Sequence, residues 1–128
     1  MRNAPPAPVA VIDIGSNSIK ALVARRGADG GLEEVDSRAI DARIGAGISR
    51  ERPRLSEEGM ARGLDAVRQL ADLAAGCGAN QLIIVATSAV RDAANGADFR
   101  ERVRAATGVD LRILSGEEEA ALIGRGLL

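Results

Sequence analysis

Three short segments carry the residue types with which this chain can do chemistry. The first is Asp13-Ile14-Gly15-Ser16-Asn17-Ser18. Gly15 tolerates positive φ and lets a ligand approach the backbone closely. The N–H groups of Ser16, Asn17 and Ser18 can form an anion-binding concavity, to which their side chains add donors. Asp13 closes an apolar run with a carboxylate of the kind that holds a hydrated Mg²⁺. No G-K-[ST] follows, so this is not a Walker loop, and a strand rather than a helix comes next, unlike a dinucleotide fingerprint. An ordinary hairpin turn needing Gly and Asn accounts for the same residues equally well. Lys20, the single lysine, lies two residues beyond the loop. It can reach an anion held there or stand as a solvated charge.

The second segment is Ser115-Gly116-Glu117-Glu118-Glu119. With Ser115 as N-cap, Glu118 falls at N3 and the two make a capping box. Glu117 suits the helix dipole. Glu119 is needed by neither device, and a carboxylate there can orient and deprotonate a water attacking phosphorus. The third segment, Val85 to Ala93, places Thr87 and Ser88 where they can cap a short helical turn and Arg91 where its fork can meet a phosphate. Each segment alone also has a plain explanation, as solvated acids or as an Arg91–Asp92 surface pair. Their coincidence at three strand ends favours a phosphate site.

Composition removes most alternatives. The 128 residues contain no His, so imidazole bases, Ser-His-Asp triads and His-containing metal sites are excluded. One Cys excludes an internal disulfide. A net charge of −1, with no Trp or Tyr and one Phe, argues against nucleic acid as a partner. The start lacks the pattern of a signal peptide and no apolar run is long enough to span a membrane, so no membrane partner and a cytoplasmic location are expected.

The elements that must position these groups follow from periodicity. Residues 1–8 are a Pro-rich lead-in. Val9 to Ile14 and Ser18 to Arg25 read as strands joined by a tight hairpin, and Leu32 to Ile44 as a long third strand after the Gly27–Gly31 turn. A loop covers Gly45 to Pro53. Ser56 caps a helix with Met60, Leu64, Val67, Ala71 and Ala74 on one face, ended by Gly76 or Gly78. Gln81 to Ala86 is a continuous apolar strand. Asp98 caps a short helix bearing Phe99 and Val103 that stops at Gly108. Leu111 to Leu114 is the fifth strand, and Ser115 to Leu128 opens the last helix. This predicts one α/β domain, a five-stranded mixed sheet made of a three-strand antiparallel meander plus two parallel strands, with flanking helices. The three chemical segments then share the carboxyl edge of the sheet, where open α/β sheets bind ligands.

Val11-Ile12-Asp13-Ile14-Gly15-Ser16-Asn17-Ser18-Ile19-Lys20, Arg43-Ile44-Gly45-Ala46-Gly47-Ile48, Ala86-Thr87-Ser88-Ala89-Val90-Arg91-Asp92-Ala93 and Ile113-Leu114-Ser115-Gly116-Glu117-Glu118-Glu119-Ala120, in that order, resemble the exopolyphosphatase / guanosine pentaphosphate phosphohydrolase family. The resemblance covers nearly the whole chain. It implies the first of two ribonuclease H-like domains of the actin, hexokinase and sugar-kinase superfold. It further implies hydrolysis of the terminal phosphate of inorganic polyphosphate or guanosine pentaphosphate with Mg²⁺ present. Carried over by position, Gly15, Ser16, Asn17 and Ser18 match the first phosphate loop, Glu119 the general base, Arg91 a phosphate contact, Lys20 a basic position near the guanosine phosphates, and Asp13 a metal-side carboxylate. Arg43 is at most a further contact, because Ala46 stands where many relatives carry Glu. The family's second phosphate loop, Asp-Ile-Gly-Gly-Gly-Ser-Thr-Glu, is expected beyond Leu128 in a second domain. The 128 residues alone are therefore expected to bind weakly and turn over negligibly. The face toward that domain is expected to be exposed or covered by a second copy in a homodimer. Two other classes stay open: a phosphate or guanosine tetraphosphate binding module without turnover, and a sugar-kinase-like phosphotransferase, against which the three successive glutamates argue.

Overall fold

The computed structural model describes residues 6–46 and 51–124. Most of the expected lead-in, the middle of the 45–53 loop and the end of the last helix lie outside them. The chain forms strands β1 (Val9–Ile14), β2 (Ile19–Arg26) and β3 (Leu32–Ile40), helix α1 (Glu57–Gly76), strand β4 (Gln81–Ala86), helices α2 (Ser88–Arg91) and α3 (Gly96–Thr107), strand β5 (Arg112–Ile113) and helix α4 (Gly116–Gly124). The sheet order is β3-β2-β1-β4-β5. β1 runs antiparallel to β2 and parallel to β4, and β5 is parallel to β4. The mixed five-stranded sheet expected from the sequence is therefore present.

Alternation decides which sheet face is covered. Ala10, Ile12 and Ile14 of β1 and Ile19, Ala21 and Val23 of β2 are buried. Ile12, Ile14, Ile19 and Ala21 pack in one cluster with Met60, Val67 and Leu70 of α1 and with Phe99 and Val103 of α3, while Ala10 and Val23 pack on Ala74 near the end of α1. Each such aliphatic side chain removed from water contributes about 1.5–3 kcal/mol. The opposite face carries Val9, Val11, Leu22, Ile83 and Val85 and holds a groove of about 920 Å³.

Local signals explain most boundaries. Ser56 Oγ accepts from Gly59 N at 2.9 Å and starts α1. Gly108, at φ 76°, ends α3 in the left-handed conformation. Four expectations need correction. The third strand ends at Ile40 rather than Ile44, because Ala42 N turns back to the Ile40 carbonyl and Arg43 adopts φ 50°. The apolar pattern there came from Ala42 and Ile44, which are buried in the core rather than in the sheet. Helix α3 begins at Gly96 with Asn95 at its cap position, so Asp98 lies inside the first turn. Thr87 precedes α2 but its side chain makes no capping bond. Strand β5 is also shorter than expected, two residues instead of four.

Candidate phosphate site

The parallel strands β1, β4 and β5 end side by side, and the backbone stitches their exits together. Thr87 N donates to the Ile14 carbonyl at 3.3 Å, and Leu114 N to the Ala86 carbonyl at 2.9 Å. The three segments singled out in the sequence therefore leave the sheet from adjacent positions.

The hairpin after β1 is closed by Gly15 N donating to the Ser18 carbonyl at 3.1 Å. A Cβ on Gly15 would sit 3.0 Å from that same carbonyl oxygen, which is why glycine is required. Carbonyls of the hairpin are held by the segment after β3: Gly45 N donates to Ser16 O at 3.0 Å and Arg43 N to Asn17 O at 2.8 Å. A trans peptide places its N–H opposite its C=O. The amides of Asn17 and Ser18 therefore point away from the 41–46 segment. The N–H groups of Ser16, Asn17 and Ser18 donate to none of the described residues. That is the donor arrangement of an anion-binding loop.

Ser115 and Glu118 form the expected capping box: Glu118 N donates to Ser115 Oγ, and Ser115 N to Glu118 Oε1, both at 3.1 Å. The Ser115 amide, and its hydroxyl beside it, lower the Glu118 carboxyl from its ordinary value. With Glu118 committed to the cap, Glu119 is left half-buried one residue on. Arg91, at the end of the short helix α2, reaches it. Arg91 Nη1 donates to the Leu114 carbonyl at 3.1 Å and to Glu119 Oε2 at 3.3 Å, while Nε donates to Asp92 at 3.3 Å.

Asp13 lies across the β1–β2 ladder from Lys20. Burial pushes its carboxyl above the ordinary value of 3.8, the Lys20 ammonium pulls it back, and the Glu119 carboxylate pushes it up again. Asp13 Oδ1 is fully buried and has no hydrogen-bond partner. An orphaned carboxylate oxygen beside a second carboxylate suits a divalent cation. Among the described residues no group of three or more His, Cys, Asp or Glu is gathered for a metal. So small a protein donor set is compatible with a hydrated Mg²⁺, which takes most of its ligands from water and substrate phosphate. Lys20 is exposed and Arg43 turns to Asp41, its Nε 3.2 Å from the carboxylate.

Sequence reasoning gave the segment that grips the hairpin no role beyond a contact by Arg43. Its signal was present in Gly45, whose Cβ would lie 3.0 Å from that of Ser16, and in Gly59 and Gly63, four apart on the helix facing Ile44.

A sheet of this order, with loops of three parallel strands at one edge, defines an actin-type, ribonuclease H-like domain. A sequence model of the Ppx/GppA phosphatase family matches residues 22–128. An exopolyphosphatase-like protein superposes with a TM-score of 0.83 at 35% identity, over 93% of this chain and 36% of its own. The Ppx/GppA family member of Aquifex aeolicus gives 0.82 at 30% identity, over 90% and 37%. An exopolyphosphatase of Cytophaga hutchinsonii gives 0.87 at 26%, over 94% and 38%. This chain belongs to the Ppx/GppA phosphatase family. It spans little more than a third of the length of these relatives. No helix among the described residues is long and apolar enough to cross a membrane.

Proposed function

We propose that this chain is the phosphate-gripping domain of a hydrolase that removes the terminal phosphate of inorganic polyphosphate or of guanosine pentaphosphate. The observation that carries the reading is the meeting of Glu119 with Arg91 at the edge where the Ser16–Ser18 amides stand unpaired.

In this reading Gly15, Ser16, Asn17 and Ser18 hold oxygens of the terminal phosphate. Water attacks its phosphorus, and the water's proton passes to a Glu119 carboxylate oxygen. The bridging P–O bond breaks, leaving inorganic phosphate and a chain one phosphate shorter, or guanosine tetraphosphate. Arg91 offsets charge on the phosphate while keeping Glu119 in place, since a positioned guanidinium stabilises spread negative charge. Lys20 contacts the guanosine phosphates. Asp13 would hold Mg²⁺, which when bound neutralises charge on the phosphate oxygens.

The relatives are almost three times as long, and half a cleft leaves a bound phosphate in water, where each contact is screened. The 128 residues alone therefore bind polyphosphate and guanosine pentaphosphate weakly and turn them over negligibly. The missing partner is a second domain of the same protein. The test is phosphate release from both substrates by the natural protein that carries this chain, with and without Glu119→Gln. Release that collapses in the variant supports the reading. Release that survives it, or phosphate moved to an acceptor rather than to water, overturns it.

A further inference from the structure

Resting on the reading of Gly15–Ser18 as the phosphate loop, we infer that Arg62 of helix α1 is a positioning residue for that loop, although it touches no part of it. Arg62 Nε donates to the Ala42 carbonyl at 2.8 Å, and Nη2 to the Arg43 carbonyl at 2.9 Å. One guanidinium therefore grips two successive carbonyls of the segment leaving β3. That segment in turn donates from Arg43 N to Asn17 O and from Gly45 N to Ser16 O. Helix, segment and hairpin form a continuous strut.

Two further features show that the strut imposes its shape. Arg43 is the single non-glycine with positive φ among the described residues, at 50°. L side chains rarely adopt this conformation, and it persists only where surroundings over-determine it. Arg62, gripping the carbonyl of Arg43 and that of the residue before it, is such a surrounding. Next to it, Ile44 is fully buried against α1 at positions where a Cβ cannot fit. A Cβ on Gly59 would lie 2.9 Å from the Ile44 carbonyl oxygen, and one on Gly63 2.7 Å from Ile44 Cγ2. The segment is thus seated by packing at Ile44 and fixed in rotation by Arg62. Because the segment binds the carbonyl side of the Ser16–Asn17 and Asn17–Ser18 peptides, fixing it fixes where their N–H groups point.

A lysine keeps the charge but offers a single point in place of the planar fork, so Arg62→Lys separates positioning from electrostatics. The experiment uses the ¹⁵N-labelled 128-residue chain, with tripolyphosphate as probe, in wild type, Arg62→Gln, Arg62→Lys and, as a control on the exposed face of the same helix, Arg68→Gln. Amide exchange at Arg43 and Gly45 reports the strut, and titration shifts at Ser16–Ser18 report the loop. Both Arg62 variants are expected to speed exchange at Arg43 and Gly45 about three- to tenfold, the loss of roughly one hydrogen bond. Both are expected to weaken tripolyphosphate by a similar factor, while Arg68→Gln changes neither. Unchanged exchange at Arg43 and Gly45 in Arg62→Gln overturns the inference, as does wild-type behaviour of Arg62→Lys in both readouts. A wild-type chain whose Ser16–Ser18 amides ignore tripolyphosphate overturns instead the phosphate-loop reading on which it rests.

Discussion

Arg91 and Glu119, 28 residues apart in sequence, meet at 3.3 Å because the same Arg91 nitrogen also donates to the carbonyl of Leu114, the last residue before the Ser115 cap. The guanidinium thus measures the position of α4 from the end of β5. An ion pair alone at a partly exposed site contributes little, about 0–1 kcal/mol. A bond to a fixed backbone carbonyl as well gives the carboxylate a defined place.

Adjacent glutamates should therefore separate cleanly. In the natural protein carrying this chain, Glu119→Gln is expected to lower kcat about 10²–10⁴-fold, the usual contribution of a general base, with KM little changed. Glu118→Gln should leave turnover nearly intact, because its amide oxygen can still accept from Ser115 N. A Glu119→Gln loss of less than tenfold in a steady-state phosphate-release assay would count against the base.

Asp13 should register in stability as well as in binding. Its carboxyl titrates above the ordinary 3.8 because burial disfavours the charged form. The folded chain therefore holds this proton more tightly than the unfolded one, and stability is lost as pH climbs from the unfolded value through the folded one. Asp13→Asn removes that loss. At pH 7 the variant is expected to be more stable than wild type by about 1 kcal/mol, as a buried unpaired group implies. The gap should close as pH falls toward 4. Urea melts across this range check it, and a wild type more stable at pH 7 would show that Asp13 is paired in solution.

Lys20 offers a test of substrate choice. Guanosine pentaphosphate has phosphates on both sides of a ribose and polyphosphate does not. Lys20→Ala is expected to weaken the guanosine nucleotide more than the plain chain, by up to about fivefold for one exposed cation. Calorimetric titration of both ligands decides it, and equal losses would reduce Lys20 to a nonspecific charge.

Asn95 is the main polar group of the core. Its side-chain oxygen accepts from Leu55 N at 2.8 Å and its amide donates to Leu55 O at 2.9 Å. Asn95→Ala strands both buried backbone groups, at about 2–4 kcal/mol together. Asn95→Asp can serve only one of them and brings a charge into the core, so it should be at least as damaging. Thermal melts with a drop of under 3 °C in either variant would mean that water fills the place, since 1 kcal/mol moves Tm by about 4 °C in a domain of this size.

Legibility in the sequence followed the range of the signal. The capping box at Ser115 and Glu118 involves neighbours three apart, and it was readable in full. So were the hairpin at Gly15 and the apolar strand Gln81–Ala86, whose patterns are local. The end of β3 was not, because Ala42 and Ile44 look like strand residues and are buried by α1 instead. Asn95 suits an N-cap, but its side chain is spent on Leu55, 40 residues away. Arg62 carried no signal of its own, because its partners, the carbonyls of Ala42 and Arg43, lie in a turn that periodicity does not reveal. The pairing of Arg91 with Glu119 depends on two strand ends being neighbours, which only the topology supplies.

The place of β1 in the sheet also sets a timetable. Its antiparallel partner β2 follows after a four-residue turn, but its parallel partner β4 joins Ile14 to Ala86 across the whole meander and α1. Distant pairings form late, since chain entropy must be spent before they return any stabilisation. On the ribosome the hairpin loop can close early, whereas Thr87 N cannot reach Ile14 O, nor Arg91 reach Glu119, until β4 and β5 have docked. In the proposed function, competence to hold a phosphate is thus a property of the finished fold, acquired at its last steps, and a nascent or partly unfolded chain carries the loop sequence without the grip.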